Sequence, residues 1–209
     1  MQNAPSHPIR RIAAITAAAA LAIFGVTSVV KGADGLSTVS DALKQEAVVG
    51  TPEMTPAKIA AKADGAGLRG VALPTCSVAG KAVSSGATAR CFAEYMRVDA
   101  LVATGGRTYA QMPRFATEDG KGSNDAALAQ KLPNGQPMNN PARQVWITET
   151  ALANALNTSY MAEQVSLFGI AVGAMFLLVG FGFAGVALGG VKLARVSRAR
   201  RHEHAVSAA

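Results

Sequence analysis

The stretch LFGIAVGAMFLLVGFGFAGVALGGV, Leu167 to Val191, contains no ionisable side chain and is followed at once by a cluster of cations. At about 1.5 Å rise per residue, its first ~22 residues form a helix of about 33 Å, long enough to cross the hydrocarbon core of a bilayer. A buried helix of a soluble protein can also be apolar all round, but this length, glycine content and abrupt cationic end are typical of a membrane span. We therefore predict a transmembrane helix over residues 167–191.

A second apolar run occupies residues 12–30 and follows Arg10 and Arg11. We interpret it as an uncleaved first transmembrane helix. A cleaved signal peptide is the alternative, but the alanine-rich run is long for one and no clear small-x-small cleavage site follows it. A twin-arginine export signal would use the same arginine pair, although the surrounding residues match that pattern poorly.

The net charge of +7 is concentrated beside the two apolar runs. Between Lys31 and Glu163, thirteen Lys and Arg face twelve Asp and Glu. Cations next to a span are retained in the cytoplasm, so we predict a multi-pass protein of the cell membrane with both termini cytoplasmic and the middle extracytoplasmic. The cations that set this topology are Arg10, Arg11, Lys192, Arg195, Arg198, Arg200 and Arg201. No basic stripe with interleaved aromatic residues is present, which argues against nucleic-acid binding.

These observations predict an all-α membrane protein in which two transmembrane helices flank a small, mostly helical extracytoplasmic domain. About 130 residues lie between the spans, enough for one small domain. The expected boundaries are a cytoplasmic N-terminus at 1–11, transmembrane helix 1 at 12–30, an extracytoplasmic domain with a disulfide at 31–140, an extracytoplasmic helix leading into the membrane at 141–166, transmembrane helix 2 at 167–191 and a basic cytoplasmic tail at 192–209.

The first part of the predicted domain, residues 31–73, is polar and rich in alanine and glycine. This composition favours a mobile stalk, with short helices capped by Ser40 and Thr55. Pro56 stands at the first helical position after Thr55, and Gly65 marks the expected end of that helix.

A longer helix is expected over Ala87 to Thr104, with Gly105-Gly106 as its C-terminal cap. A phosphate-binding loop would instead need a longer glycine-rich stretch with Lys-Ser/Thr. Residues 115–141 are expected to form a loop with at best one helical turn at 126–131. Asn140-Pro141 then predicts the start of a helix that no proline interrupts before Val191.

Cys76 and Cys91 are the only cysteines in the chain. The predicted topology places both outside the cytoplasm, where thiols are usually oxidised in pairs, so we predict a disulfide. Closing a loop of this size stabilises a domain by about 3 kcal/mol through the unfolded state. A two-thiolate metal site is the alternative, but it lacks partner ligands.

The histidines, His7, His202 and His204, all lie in the predicted cytoplasmic tails. A domain without imidazole excludes Ser-His-Asp triads, Cys-His pairs and nearly all zinc or iron centres. His202-Glu-His204 would hold a metal only weakly, and neither a Ser-Lys catalytic pair nor a calcium site has a recognisable motif. We therefore expect a non-enzymatic protein with no catalytic residue, no metal site and no cofactor.

Glycines in the second span offer flat surfaces for helix packing. Gly169-xxx-Gly173 and Gly185-xxx-Gly189 each place two glycines one turn apart, which lets another helix approach closely. The preferred interpretation is contact with the alanine-rich first span, and the next is contact with another membrane protein; the two can coexist on different faces.

Two aromatic residues are expected at the outer end of the same helix. Tyr160 lies within about two turns of the lipid boundary, where aromatic rings often anchor a helix. Trp146 is expected to pack the domain and is the second candidate interface anchor. Asn157-Thr158-Ser159 matches a glycosylation sequon, a pattern short enough to recur by chance.

The segment VDALVATGGRTYAQM, Val98 to Met112, and the later LNTSYMA, Leu156 to Ala162, resemble a group of small actinobacterial membrane proteins of uncharacterised role. Members are often labelled automatically as the small subunit of an aromatic ring-opening dioxygenase. The resemblance implies two spans around one outer segment. It implies no dioxygenase activity, because the iron ligands of such enzymes should be His and carboxylate, and no residue here matches such a site.

The sequence therefore predicts an interaction protein, an accessory or assembly subunit of a larger cell-envelope complex with a respiratory or transport role. Its partners would be the lipid bilayer and other membrane-protein subunits. The alternative is an extracytoplasmic sensor or ligand-binding module anchored by two helices. A homo-oligomeric pore is disfavoured, because neither span carries polar residues suited to line one.

Overall fold

The structure is a computed structural model that describes the backbone of residues 7–206 and the side chains of residues 11–188. Within these residues the chain forms four α-helices, one short 3-10 helix and only isolated β-bridges. The α-helices are α1 (His7–Gln45), α2 (Pro56–Gly65), α3 (Gly86–Ala103) and α4 (Pro141–Val206), and the 3-10 helix is Tyr109–Gln111. The all-helical part of the predicted fold class is confirmed for the described chain.

Two compact units make up the chain. One contains the residues up to Leu36 and those from Val165 onward, and we call its described part the helix pair. The other, Ser37–Gln164, contains the cystine and is called the disulfide domain.

Two helices are long and apolar enough to cross a membrane. They are Arg11–Gln45, with a mean hydropathy of 2.1 over its best window, and Pro141–Leu188, with 2.3. Length and composition therefore agree with the two apolar runs recognised in the sequence.

Helix α1 extends further than the sequence indicated. Instead of ending near Val30 and giving way to a mobile stalk, it continues to Gln45, and Ser40 lies inside it rather than at the start of a new helix. No proline interrupts residues 31–45, so the helix can continue through them. Packing then stabilises the extension, because Leu43, which is 5% exposed, joins Val83 and Ala89 in a core cluster. The stalk prediction is therefore wrong for this segment.

Helix α2 begins and ends where its signals placed it. The Thr55 hydroxyl oxygen accepts a hydrogen bond from the Lys58 amide at 3.4 Å, and Pro56 occupies the first turn. The helix ends at Gly65, as predicted.

Helix α3 has a reciprocal cap at its start. Ser85 and Thr88 each accept a hydrogen bond from the other's backbone amide, at 3.2 and 3.1 Å. At the other end, Gly105 and Gly106 have φ values of 62° and 76°, the left-handed conformation that glycine adopts without strain. The predicted glycine cap is confirmed, and the Gly106 amide closes it by donating to Leu101 O at 2.7 Å.

Helix α4 begins at the predicted residue. The Asn140 side-chain oxygen accepts from the Ala142 amide at 3.0 Å, and Pro141 is the first helical residue. No break occurs before Val206. The preceding loop forms no helix at 126–131, only a single turn in which the Leu128 amide donates to Asp125 O at 3.3 Å, and it folds back on itself through bridges such as Phe115 to Ser123.

The core of the disulfide domain surrounds α3. Tyr95 and Val98 are fully buried and contact Ile59 and Ala63 of α2, together with Val78. A neighbouring cluster contains Ala100, Leu101, Met112 and Trp146. Helix α3 is therefore the central element against which α2 and the first turns of α4 are arranged.

Candidate functional site

The helix pair is joined by a regularly spaced seam. Along α4, buried or half-buried positions recur with alternating intervals of four and three residues, and α1 shows the same alternation. This is the seven-residue repeat of a coiled-coil seam. The α4 positions are Ser166, Ile170, Gly173, Leu177, Gly180, Ala184 and Ala187, and the α1 positions are Ala14, Ala18, Leu21, Gly25, Ser28, Gly32 and Gly35.

Glycine brings the two backbones into direct contact. A Cβ atom added at Gly173 would lie 2.7 Å from Gly25 O, and one added at Gly25 would lie 2.8 Å from Gly173 O. A Cβ at Gly32 would lie 2.6 Å from Ser166 O. Because real side-chain carbons do not approach this closely, only glycine permits the observed separation.

The predicted packing glycines have different environments. Gly173 lies at a direct backbone contact with Gly25, and Gly169 faces Ser28 O at the ordinary distance of 3.8 Å for an added Cβ. Gly185 has no atom within 4 Å of such a carbon, and the surroundings of Gly189 lie outside the described residues. The sequence reasoning missed Gly180 and the α1 glycines, although the spacing of seven residues from Ala18 to Gly25 to Gly32 is visible in the sequence.

Large apolar side chains cover the outward face of the helix pair. Phe24, Phe168, Leu178 and Val186 have exposed fractions of 67%, 70%, 72% and 77%. Helices that pack in lipid have this arrangement, with mostly small residues at the contact and large apolar residues facing outward, because lipid solvates apolar side chains.

The predicted disulfide is confirmed. Cys76 and Cys91 are bonded, with Cα atoms 6.1 Å apart, and the bond ties the segment before residue 80 to α3. Beneath it, the Tyr95 hydroxyl donates a hydrogen bond to Cys76 O at 2.7 Å. Burial and the nearby negative charge of Glu94 raise the pKa of Tyr95, so it remains a neutral donor.

Arginine–aromatic contacts join α3 to α4. The Arg97 guanidinium lies 4.4 Å from the Trp146 ring centre, and that of Arg90 lies 4.8 Å from the Tyr160 ring centre. Trp146 is 7% exposed, so its ring packs in the domain core and is not presented at the surface as an anchor would be. Tyr160 is half-buried beneath Arg90. Hydrogen bonding to Tyr160 and then to Glu94 raises the pKa of Arg90.

The first residue of α3 is fitted closely to α4. The Gly86 amide donates to the Glu163 carboxylate at 2.7 Å, which places a negative charge at the positive end of α3. A Cβ at Gly86 would lie 2.8 Å from Tyr160 Cα, so no other residue fits without displacing backbone.

A cavity of about 530 Å³ lies in the disulfide domain between α3, α4 and residues 72–75. Its charged wall residues are Glu94, Arg97 and Glu149. Burial, and then the negative charge of Asp99, raise the pKa of Glu149, while Lys62 acts in the opposite direction. Glu149 Oε2 and Thr150 Oγ1 are buried and have no hydrogen-bond partner among the described residues.

The described residues contain no group of three or more metal-ligating side chains, and the side chains of all three histidines lie outside them. Of the predicted topology cations, only Arg11 has a described side chain, which is exposed. The other six, Arg10, Lys192, Arg195, Arg198, Arg200 and Arg201, lie outside the described side chains.

Comparison with known proteins returns no match: no family model, curated protein or solved structure is similar to this chain.

Proposed function

We propose that this chain is a non-enzymatic integral membrane protein whose helix pair anchors the disulfide domain outside the cytoplasm. In this proposal it is an accessory or assembly subunit of a larger cell-envelope complex, respiratory or transport, within the group of actinobacterial membrane proteins that it resembles.

The arrangement of side chains in the helix pair carries the proposal. Burying one large apolar side chain stabilises a protein by about 1.5 to 3 kcal/mol, and soluble proteins rarely leave a large contiguous apolar patch exposed. Here eleven of the fourteen seam positions are glycine, alanine or serine, while phenylalanine, leucine and valine side chains face outward. A bilayer would cover that outward face at no cost in hydration.

The orientation is supported by two independent features. Cations precede the first apolar run and follow the second, so both groups lie on the terminal side of a run, which favours cytoplasmic termini. The cystine belongs to the chain between the runs, and such bonds persist in oxidising compartments outside the cytoplasm.

Single-cysteine labelling tests this orientation. A membrane-impermeant maleimide is applied to intact cells producing Ser123→Cys or Ser197→Cys. Ser123→Cys should react before lysis, whereas Ser197→Cys should react only after the membrane is permeabilised. Reaction of Ser197→Cys in intact cells would reject the topology.

A subunit role is supported by a packing surface that the seam does not use. Gly182 and Gly185 have no atom within 4 Å of an added Cβ and lie on an apolar helix. Such a flat strip suits close contact with a helix of another subunit.

Purification in mild detergent, followed by mass spectrometry of the co-purifying chains, tests that role. We expect a stoichiometric partner with the native chain and its loss with Gly185→Leu. Phe181→Leu, an apolar change on the same helix, should retain the partner. A chain that purifies alone would reject the subunit proposal.

The cavity favours one second candidate, an extracytoplasmic ligand-binding or sensor module. Its volume lies within the range of small-molecule sites, about 300 to 1,000 Å³, and charged side chains of both signs line it.

A further inference from the structure

The cavity presents one unpaired charge of each sign. Glu149 forms no ion pair within the described residues, and Lys62, whose positive charge acts on it, is bound to Asp99 at 2.6 Å. Arg97 likewise forms no ion pair there; its guanidinium covers the Trp146 ring, an arrangement that leaves N–H groups available at its edge. The third charge, Glu94, is already engaged by Arg90 at 3.4 Å.

The rest of the wall provides neutral hydrogen-bonding groups. Thr75, Thr150, Asn154 and Asn157 line the cavity together with the apolar side chains of Leu73 and Pro74. A few polar groups on a partly apolar wall are the usual composition of a site that fixes the orientation of a small ligand.

Two buried polar atoms beside this wall are unsatisfied. Glu149 Oε2 and Thr150 Oγ1 are sequential on α4 and have no hydrogen-bond partner among the described residues. Leaving such atoms unpaired destabilises a protein, and the cost is larger when the group is charged. A ligand that supplies donors and a positive charge to this wall would offset that cost.

We propose that the cavity binds a small zwitterion, a free amino acid or a short peptide, with its ammonium group at Glu149 and its carboxylate at Arg97. This inference rests on the second candidate function and names its ligand class. A simple amine or a simple carboxylate would leave one of the two protein charges unpaired, so neither should bind as tightly as a molecule that carries both.

Trp146 is a built-in reporter for this binding. It is the only tryptophan in the chain, and the Arg97 guanidinium covers its ring. A ligand carboxylate that draws Arg97 toward the cavity would change the contact with the indole and therefore the tryptophan emission.

The test uses the full chain in detergent micelles. L-alanine, L-lysine and glycylglycine are titrated while tryptophan emission is followed, with ethylammonium and acetate as single-charge controls. At least one zwitterion should give a saturable change with an affinity at least about tenfold higher than either control. No saturable response to any of the three, or equal responses to the controls, would overturn the proposal.

Three variants identify the residues responsible. Glu149→Gln and Arg97→Lys should each weaken zwitterion binding by about ten- to a hundredfold, the usual effect of losing a hydrogen bond to a charged group. Arg114→Gln, which alters a similar arginine–aromatic contact on Phe115 away from the cavity wall, should leave it unchanged. Undiminished binding in both cavity variants would place the ligand elsewhere and reject the site. Since the Ser123→Cys and Ser197→Cys labelling does not depend on ligand, failure here is distinguishable from failure of the membrane topology.

Discussion

The helix pair and the disulfide domain are built by opposite rules. In the helix pair, most contact positions are glycine, alanine or serine, and most large apolar side chains face outward. In the disulfide domain, Tyr95 and Val98 are fully buried and charged side chains lie outside. The first arrangement gains stability from close backbone packing, and the second from removing large side chains from water. The helix pair is therefore suited to a lipid environment and the disulfide domain to water.

Removing the disulfide should have the largest effect, and only on one half. Replacing Cys76 and Cys91 together by serine should destabilise the disulfide domain by about 3 kcal/mol, since the cross-link constrains the unfolded chain. Urea unfolding followed by Trp146 emission reports this domain, because the helix pair contains no tryptophan. An unchanged midpoint would show that the α3 core is sufficient without the cystine.

Gly173→Leu should weaken the packing of the helix pair. The new side chain would collide with Gly25 O, and overpacking of this kind costs about 1 to 3 kcal/mol. Gly185→Leu is the matched control, since nothing lies within 4 Å of its added carbon. Cross-linking between cysteines introduced at Ser28 and Gly169, which face each other, measures the pairing. Equal cross-linking in the two variants would contradict the seam.

Gly86→Ala should destabilise the disulfide domain by about 1 to 2 kcal/mol, because its methyl group would meet the backbone of Tyr160. Gly65→Ala, at the end of α2 in open space, should be neutral or stabilising by up to about 1 kcal/mol. Thermal unfolding monitored by tryptophan emission compares the two. If Gly65→Ala were the more harmful, the contact between α3 and α4 would not limit stability.

The smallest expected effect is a pH dependence of folding stability that arises from Glu149. Its raised pKa means that the folded chain holds this proton more strongly than the unfolded chain, so stability falls as pH rises from the ordinary value of 4.5 through the folded value. Glu149→Gln should therefore slightly raise the unfolding temperature at neutral pH and have no such benefit below pH 4.5. A benefit that persists in acid would show that the gain comes from packing instead.

Local signals in the sequence predicted much of this structure. Thr55-Pro56, Gly105-Gly106 and Asn140-Pro141 each mark a helix boundary through steric rules that operate within a few residues, and the structure confirms all three. The disulfide could be predicted because the chain has two cysteines and the predicted topology places both in an oxidising compartment.

What the sequence reasoning missed depends on contacts between distant segments. The extension of α1 to Gln45 depends on Leu43 packing against Val83 and Ala89, which no local composition reveals. The cavity is formed by residues 72–75, α3 and α4, so its wall exists only in the folded chain. The burial of Trp146 under Arg97 likewise requires α3 to be in place.

The glycine seam has a mechanical consequence. The Leu177 and Ile170 side chains of α4 pack against Gly25 and Gly32 of α1, in the space that larger side chains at those glycines would fill. Sliding α1 along α4 by one residue, about 1.5 Å, would move both side chains away from the glycines and against larger neighbouring residues. Piston motion of one helix past the other is therefore opposed by hard contact, and any displacement within the pair must carry both helices together.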